Sequence, residues 1–235
     1  MPLDLSVVIP AYNEARRLPA TLAGWQDFLG AQAYTWEIVV VDDGSRDATS
    51  RVAATAGARV LRLEQNQGKG GAVRTGVLAA DGDAILYADA DLNVAPAYLG
   101  RALRLLNGGA DLVVGRRALS EYALAEGPVR LVAGGIVQGL RRALVIWSIQ
   151  DTQCGFKLFR RELAREIFNR TRIRSFAFDI EALFLARKLG ARIVEMPVRA
   201  TYRAESTFDV RKHLPIFLRD IVQIRFNDLA RRYKQ

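Results

Sequence analysis

Residues 84–91 read Ala84-Ile85-Leu86-Tyr87-Ala88-Asp89-Ala90-Asp91, an apolar run that stops on two aspartates one residue apart. A short run of this kind, with no polar residue at alternate positions, reads as a strand buried on both faces. The same shape recurs along the first half of the chain. Apolar runs at 5–9, 37–41, 59–63 and 111–115 lead respectively into Asn13 and Glu14, into Asp42 and Asp43, into Asn66 to Gly71, and into Arg116 and Arg117. Helix-period segments at 14–29, 48–56, 71–80 and 96–106 separate them. Strands alternating with helices imply an α/β chain with a mostly parallel, Rossmann-like sheet covered on both faces. In such sheets ligands bind beyond the carboxyl ends of the strands. Five polar strand ends are thereby expected on one rim.

The chain has 235 residues, of which 50% are hydrophobic, enough for one sizeable core. After about residue 120 the texture changes to longer amphipathic helices, but no Pro-, Gly- or Ser-rich linker intervenes. One domain is expected over 1–235, with about 1–120 as its nucleotide-binding half and about 121–235 as an acceptor-facing and membrane-facing half. Lys and Arg number 34 against 25 Asp and Glu, a net charge of +9 that points to an anionic partner. A single cysteine and a single histidine exclude a disulfide framework and nearly every Cys/His zinc site. Any metal must be held by oxygen.

In extended chain, residues i and i+2 point the same way, so Asp89 and Asp91 can reach one hard cation. Mg²⁺ or Mn²⁺ suits two carboxylates with coordination positions left for substrate phosphates better than Ca²⁺ does. The alternative is that these acids cap the next helix. At Asp42-Asp43-Gly44-Ser45 a carboxylate can accept from a base N–H or a ribose hydroxyl, while Ser45 or Asp47 can cap a helix. Gly68-Lys69-Gly70-Gly71 fits neither GxxxxGK[ST] nor GxGxxG after a strand, which excludes the kinase-type and dinucleotide readings. It remains either a turn that brings Lys69 and backbone amides to a nucleotide or a tight turn before a helix. Cys154 reads as a small buried apolar residue, with no histidine near it in sequence.

Taken together, residues 8–14 (VIPAYNE), 41–45 (VDDGS), 66–72 (NQGKGGA), 89–91 (DAD) and 151–157 (DTQCGFK) resemble glycosyltransferase family 2, and within it the polyprenyl-phosphate (dolichyl-phosphate) glucosyltransferase branch. The resemblance spans about residues 5–205. It implies a GT-A fold, a sugar-nucleotide donor, Mg²⁺ or Mn²⁺, and inversion at the anomeric carbon. It places Pro10, Tyr12, Glu14, Asp42 and Asp43 around the nucleoside, with Asp89 and Asp91 on the metal and Asn93 as a polar metal neighbour. It also puts Asp151 near the acceptor, as a base or a positioning group, with Asp179 in the Phe178–Glu181 segment as a second candidate.

Displacing a nucleoside diphosphate builds charge on the leaving phosphate, which a bound cation stabilises. A lipid phosphate acceptor is already ionised near neutral pH, its second pKa being about 6, so cationic groups matter more than a base. Arg116, Arg117, Arg130 and Arg203 are the candidates, as guanidinium forks match phosphate oxygens. The leading reading is transfer of a hexose, glucose first, from a UDP-sugar such as UDP-glucose to a polyprenyl phosphate. Alternatives are GDP-mannose as donor or a hydroxyl acceptor. A nucleic-acid-binding protein has only the charge in its favour, with no helix-turn-helix, zinc or RNA-binding signature.

Residues 209–235 carry seven Lys and Arg against three Asp, and Leu214, Phe217, Leu218, Ile221 and Ile224 recur at helical spacing. Residues 115–142 carry five Arg against two Glu beside an apolar stretch at 129–149 that Arg130, Arg141, Arg142 and three glycines interrupt. An anionic membrane surface would suit both segments, as would packing on the chain's own domain or on a second subunit. No signal peptide is expected, and the location implied is peripheral at the cytoplasmic face of a membrane.

Overall fold

The computed structural model describes residues 3–117, 139, 149–201 and 210–234. One seven-stranded sheet runs through it in the order β3-β2-β1-β4-β6-β5-β7. The strands are β1 (Leu3–Ala11), β2 (Trp36–Asp42), β3 (Arg59–Arg62), β4 (Gly82–Ala88), β5 (Leu112–Arg117), β6 (Phe156–Arg160) and β7 (Ile193–Val198). All pairs are parallel except those of β6, which runs antiparallel to both β4 and β5. The helices described are α1 (Leu18–Gly30), α2 (Thr49–Thr55), α3 (Lys69–Ala79), α4 (Tyr98–Asn107), α5 (Arg161–Arg170), α6 (Phe178–Lys188) and α7 (Val210–Leu229). The five runs at 5–9, 37–41, 59–63, 84–88 and 111–115 are the cores of β1 to β5.

Alternate residues of each strand enter two separate cores. Val8, Val39, Val41, Ile85, Tyr87 and Phe159 pack with α3, α5, α6 and the inner face of α7, whereas Val7, Ile9, Val40, Leu86 and Phe156 pack with α1 and α4. Two buried faces explain why the strands read as unbroken apolar runs. The helix expected from residue 14 starts at Leu18 instead, because Glu14 C=O accepts from both Arg17 N (3.0 Å) and Leu18 N (2.9 Å) in a preceding turn, and a proline stands in the first turn of α1.

β1 pairs with β2 out to Ala11, but with β4 only as far as Val8, opposite Tyr87. Beyond that point the two central strands lose their shared ladder. Pro10, which has no N–H to donate, lies in this last stretch of β1 opposite Val41. From β1 the chain winds one way to β2 and β3, and the other way to β4, so the gap between the ends of β1 and β4 is a topological switch point.

Candidate active site

Asp89 and Asp91 follow β4 at this gap. Asp89 N donates to Gly155 C=O at 3.2 Å, and its Oδ1 accepts from both Lys69 Nζ and Tyr87 Oη, each at 2.7 Å. Burial pushes the Asp89 carboxyl up, but the Lys69 charge, the bonds from Lys69 and Tyr87, and Lys157 outweigh it and hold the group below its ordinary value. Asp91 goes the other way: burial and then the neighbouring Asp89 charge push it up. Its carboxylate accepts from the Asn93 side-chain amide, and from Asn93 N at 3.3 Å. Asn93 Oδ1 is buried and has no hydrogen-bond partner. Thr21 on α1 pins the loop by donating to Ala90 C=O at 2.6 Å.

Lys69 opens α3, and the loop before it is built by Asp43. That carboxylate is 3% exposed and accepts from Gln67 N (2.7 Å) and Gly68 N (2.9 Å). Burial pushes its carboxyl up despite those two bonds. Gly68 has φ +81°, and a Cβ there would come within 2.5 Å of Arg174 C=O, so only glycine passes this point. Asp42 is equally engaged, its Oδ1 accepting from Ser45 N at 2.8 Å and its Oδ2 from Ser50 Oγ. Both aspartates expected at the nucleoside are therefore loop-forming acceptors, buried by the turns they hold. Glu14 accepts from Arg17 Nε at 2.7 Å, and Tyr12 is 41% exposed.

Beneath the rim lies a second ammonium that the sequence reading assigned no part. Lys157 on β6 is buried, donating to Asp179 Oδ1 at 2.5 Å and Cys154 C=O at 2.7 Å, with its Nζ 5.5 Å from the centre of the Tyr87 ring. Asp179, at the start of α6, is thus buried and paired with Lys157; burial pushes its carboxyl up, against the pull of Lys157 and Lys69. Burial pushes the Cys154 thiol up to about 12, in keeping with an inert core residue.

Asp151 joins the rim from the loop before β6. Arg117, at the end of β5, closes a fork on it, Nε to Oδ2 at 2.7 Å and Nη2 to Oδ1 at 2.9 Å, and its backbone N adds a third bond at 3.1 Å. Burial works against the Asp151 charge, but the Arg117 fork prevails and holds the carboxyl below the usual range. A carboxylate so engaged is a weak base and a strong anchor. Glu195 on β7 supports the loop by accepting from Gln150 N (2.9 Å) and Asp151 N (3.2 Å), a role without a motif to mark it. Arg116 donates to Gln150 Oε1 at 3.0 Å. Arg130 and Arg203 lie outside the described residues.

The structure thus brings Lys69, Asp89, Asp91 and Asn93 to one strand-end cluster over Lys157 and Asp179, with Arg117 and Asp151 joined beside it. Asp89, Asp91 and Asn93, whose Oδ1 is unpartnered, carry oxygen donors of the kind a hard divalent cation takes. No group of three or more His, Cys, Asp or Glu able to hold a metal occurs among the described residues.

Residues 6–168 match the family model described as glycosyl transferase family 2. The chain belongs to that family. A dolichyl-phosphate beta-glucosyltransferase of Dictyostelium discoideum is 35% identical over 97% of this chain and 76% of its own length. Enzymes of the same description from Drosophila melanogaster and Homo sapiens are 40% and 36% identical, over 85% and 84% of this chain and 67% of each of theirs. Glucosyl-3-phosphoglycerate synthase of Mycobacterium tuberculosis shares the fold with a TM-score of 0.74 at 22% identity, covering 96% of this chain and 79% of its own. The glycosyltransferase has the GT-A fold, with β6 as the antiparallel strand within the otherwise parallel order.

Proposed function

We propose that this glycosyltransferase moves glucose, with inversion, from UDP-glucose to a polyprenyl phosphate, with Mg²⁺ or Mn²⁺ held by Asp89, Asp91 and Asn93. The observation that carries the reading is the oxygen donor set at the switch point, with the Lys69 ammonium beside it. The acceptor class follows that of the relatives, which are dolichyl-phosphate beta-glucosyltransferases, and a protein of the same fold was crystallised with Mn²⁺ and UDP-glucose. The cation would stabilise charge on the departing diphosphate. Lys69 adds a second positive charge where that diphosphate would lie. An acceptor phosphate oxygen is already ionised, so it attacks the anomeric carbon opposite the leaving group without giving up a proton. Asp151 and Asp179 then act as positioning residues, Asp151 aiming Arg117 at the acceptor phosphate and Asp179 fixing Lys157 under the cluster.

Membrane contact belongs to the same proposal, on a different face from the one expected. Phe217, Ile221 and Ile224 are buried in the core, so the apolar spacing noted at 214–224 mainly serves the packing of α7 on its own domain. The outer side carries Val222, Phe226 and Leu229, exposed by 51%, 52% and 70%, with Arg219 and Arg225 flanking them. An exposed apolar row edged by arginines fits an anionic lipid surface, at the cytoplasmic face in this reading. No helix of the described residues is long and apolar enough to cross a membrane.

The test is transfer of labelled sugar into an organic-extractable product from polyprenyl phosphate, with UDP-glucose or GDP-mannose as donor. Label from UDP-glucose is expected, abolished by a chelator and reduced at least about 10³-fold in Asp89→Ala. Label from GDP-mannose alone would change the sugar. Metal-dependent UDP-glucose binding with no lipid product would overturn the acceptor.

A further inference from the structure

Two lysines neutralise the acidic cluster, and they are held differently. Lys157 is 1% exposed and is fixed between Asp179 and Cys154 C=O. Lys69 is 22% exposed and reaches Asp89 from the first residue of α3, a helix with no acidic residue in its first turn. A cation at a helix N-terminus is disfavoured by the helix dipole, which favours an anion there. Of the two ammonium groups, Lys69 is the one with somewhere else to go.

The lone pairs of Asp89 decide what must happen when a cation arrives. Oδ1 accepts from both Lys69 and Tyr87, and an oxygen of this type has two acceptor sites. Oδ2 faces the backbone of Gly155, where an added Cβ would come within 2.0 Å of it. Tyr87 is not free to withdraw, because its ring is buried 5.6 Å from that of Phe178 in an edge-on contact. Lys69 is the displaceable partner. A divalent ion and an ammonium at one carboxylate oxygen would also repel each other in surroundings that screen charge poorly.

We propose that Lys69 competes with the divalent cation for Asp89, so that cation and nucleotide diphosphate bind as a coupled pair, the diphosphate taking over Lys69 as the cation takes over Asp89. The proposal rests on the metal and nucleotide reading given above. Because coupling is reciprocal, the diphosphate must tighten the cation by the same factor as the cation tightens the diphosphate. Tyr87 and Phe176, whose ring centres lie 5.6 and 5.7 Å from Lys69 Nζ, give the ammonium an aromatic surface along which to move.

The experiment is Mn²⁺ binding followed by the electron paramagnetic resonance signal of the free ion, with and without UDP, in the wild type, Lys69→Gln and Lys69→Arg. Lys69→Gln is expected to bind Mn²⁺ alone about 10-fold more tightly than the wild type and to gain several-fold less from UDP, while Lys69→Arg, which keeps the charge, stays near the wild type. If Lys69→Gln binds Mn²⁺ alone no more tightly than the wild type, while both bind it with UDP, the competition is overturned and the metal site stands. If the wild type binds no Mn²⁺ even with UDP, the metal reading itself falls and this proposal with it.

Discussion

Asp151 shows how one side chain can carry a motif for a reason other than the obvious one. An aspartate that opens the motif at 151–157 invites the part of base, yet both its oxygens accept from the Arg117 fork. The pair is mostly shielded, and its worth can be read through pH. The folded carboxyl lies below the unfolded value of 3.8, so its stabilisation is fully present above that value and is lost as pH falls through the folded value. Asp151→Asn is expected to lower the unfolding free energy by about 2 kcal/mol near neutral pH, by weakening a shielded charge pair. Denaturant titrations at about pH 6 and about pH 3 should show that difference shrinking at the acid end, since below 3.8 the unfolded carboxyl takes up a proton that the folded one resists. If transfer activity falls in Asp151→Asn with a flat pH profile between about 6 and 8, Asp151 positions Arg117; a rate that tracks a single ionisation in that range would mark a base.

At the scale of elements, what was legible in the sequence was whatever a single element encodes by itself. The runs at β1 to β5 and the four intervening helices follow from alternation and period, and the polar residues after each strand are on the rim where the topology requires them. What was not legible depends on partners distant in sequence. The antiparallel placement of β6 between β4 and β5 leaves no local trace in Phe156–Arg160, and the burial of Lys157 makes sense only once Asp179 is opposite it. The loop-holding part of Asp42 and Asp43 was hidden too, because the donors they accept from, the amides of Ser45, Gln67 and Gly68, belong to backbone that no side-chain pattern reveals. Helix α7 left its covering open for a related reason: an amphipathic period says that one face is apolar, not what covers it. Neighbouring residues now separate the two sides. Ile221→Ala, on the fully buried side, should cost about 2–4 kcal/mol in denaturant unfolding. Phe226→Ser, on the exposed side, should change stability by less than about 0.5 kcal/mol and weaken co-sedimentation with anionic phospholipid vesicles. Unchanged vesicle binding in Phe226→Ser would leave the outer row without a lipid role.

The whole molecule is tied together by the strand order. β5 belongs to the first half of the chain, yet its ladder partners are β6 and β7, both from the second half. β6 in turn is the bridge by which β5 reaches β4. A fragment ending near residue 120 would leave β4 with an open apolar edge and β5 with no strand to pair with, a poor basis for independent folding. The second half is fastened back again through α6: Glu181 Oε2 accepts from Arg172 N (2.9 Å) and Ile173 N (2.8 Å), and its Oε1 accepts from Tyr233 Oη at 2.6 Å. The same stretch gives Arg174 C=O to Gly70 N at 2.8 Å, next to Lys69. Site and C-terminus therefore share one web of buried contacts, and cooperative unfolding is the consequence. Far-ultraviolet circular dichroism and amide exchange in β1, β6 and α7 should report one midpoint in denaturant, and residues 1–120 expressed alone should lack a cooperative transition. Two separated midpoints, with β1 to β4 surviving the loss of β6, would show instead that the first half of the chain is a folding unit to which the second half is merely attached.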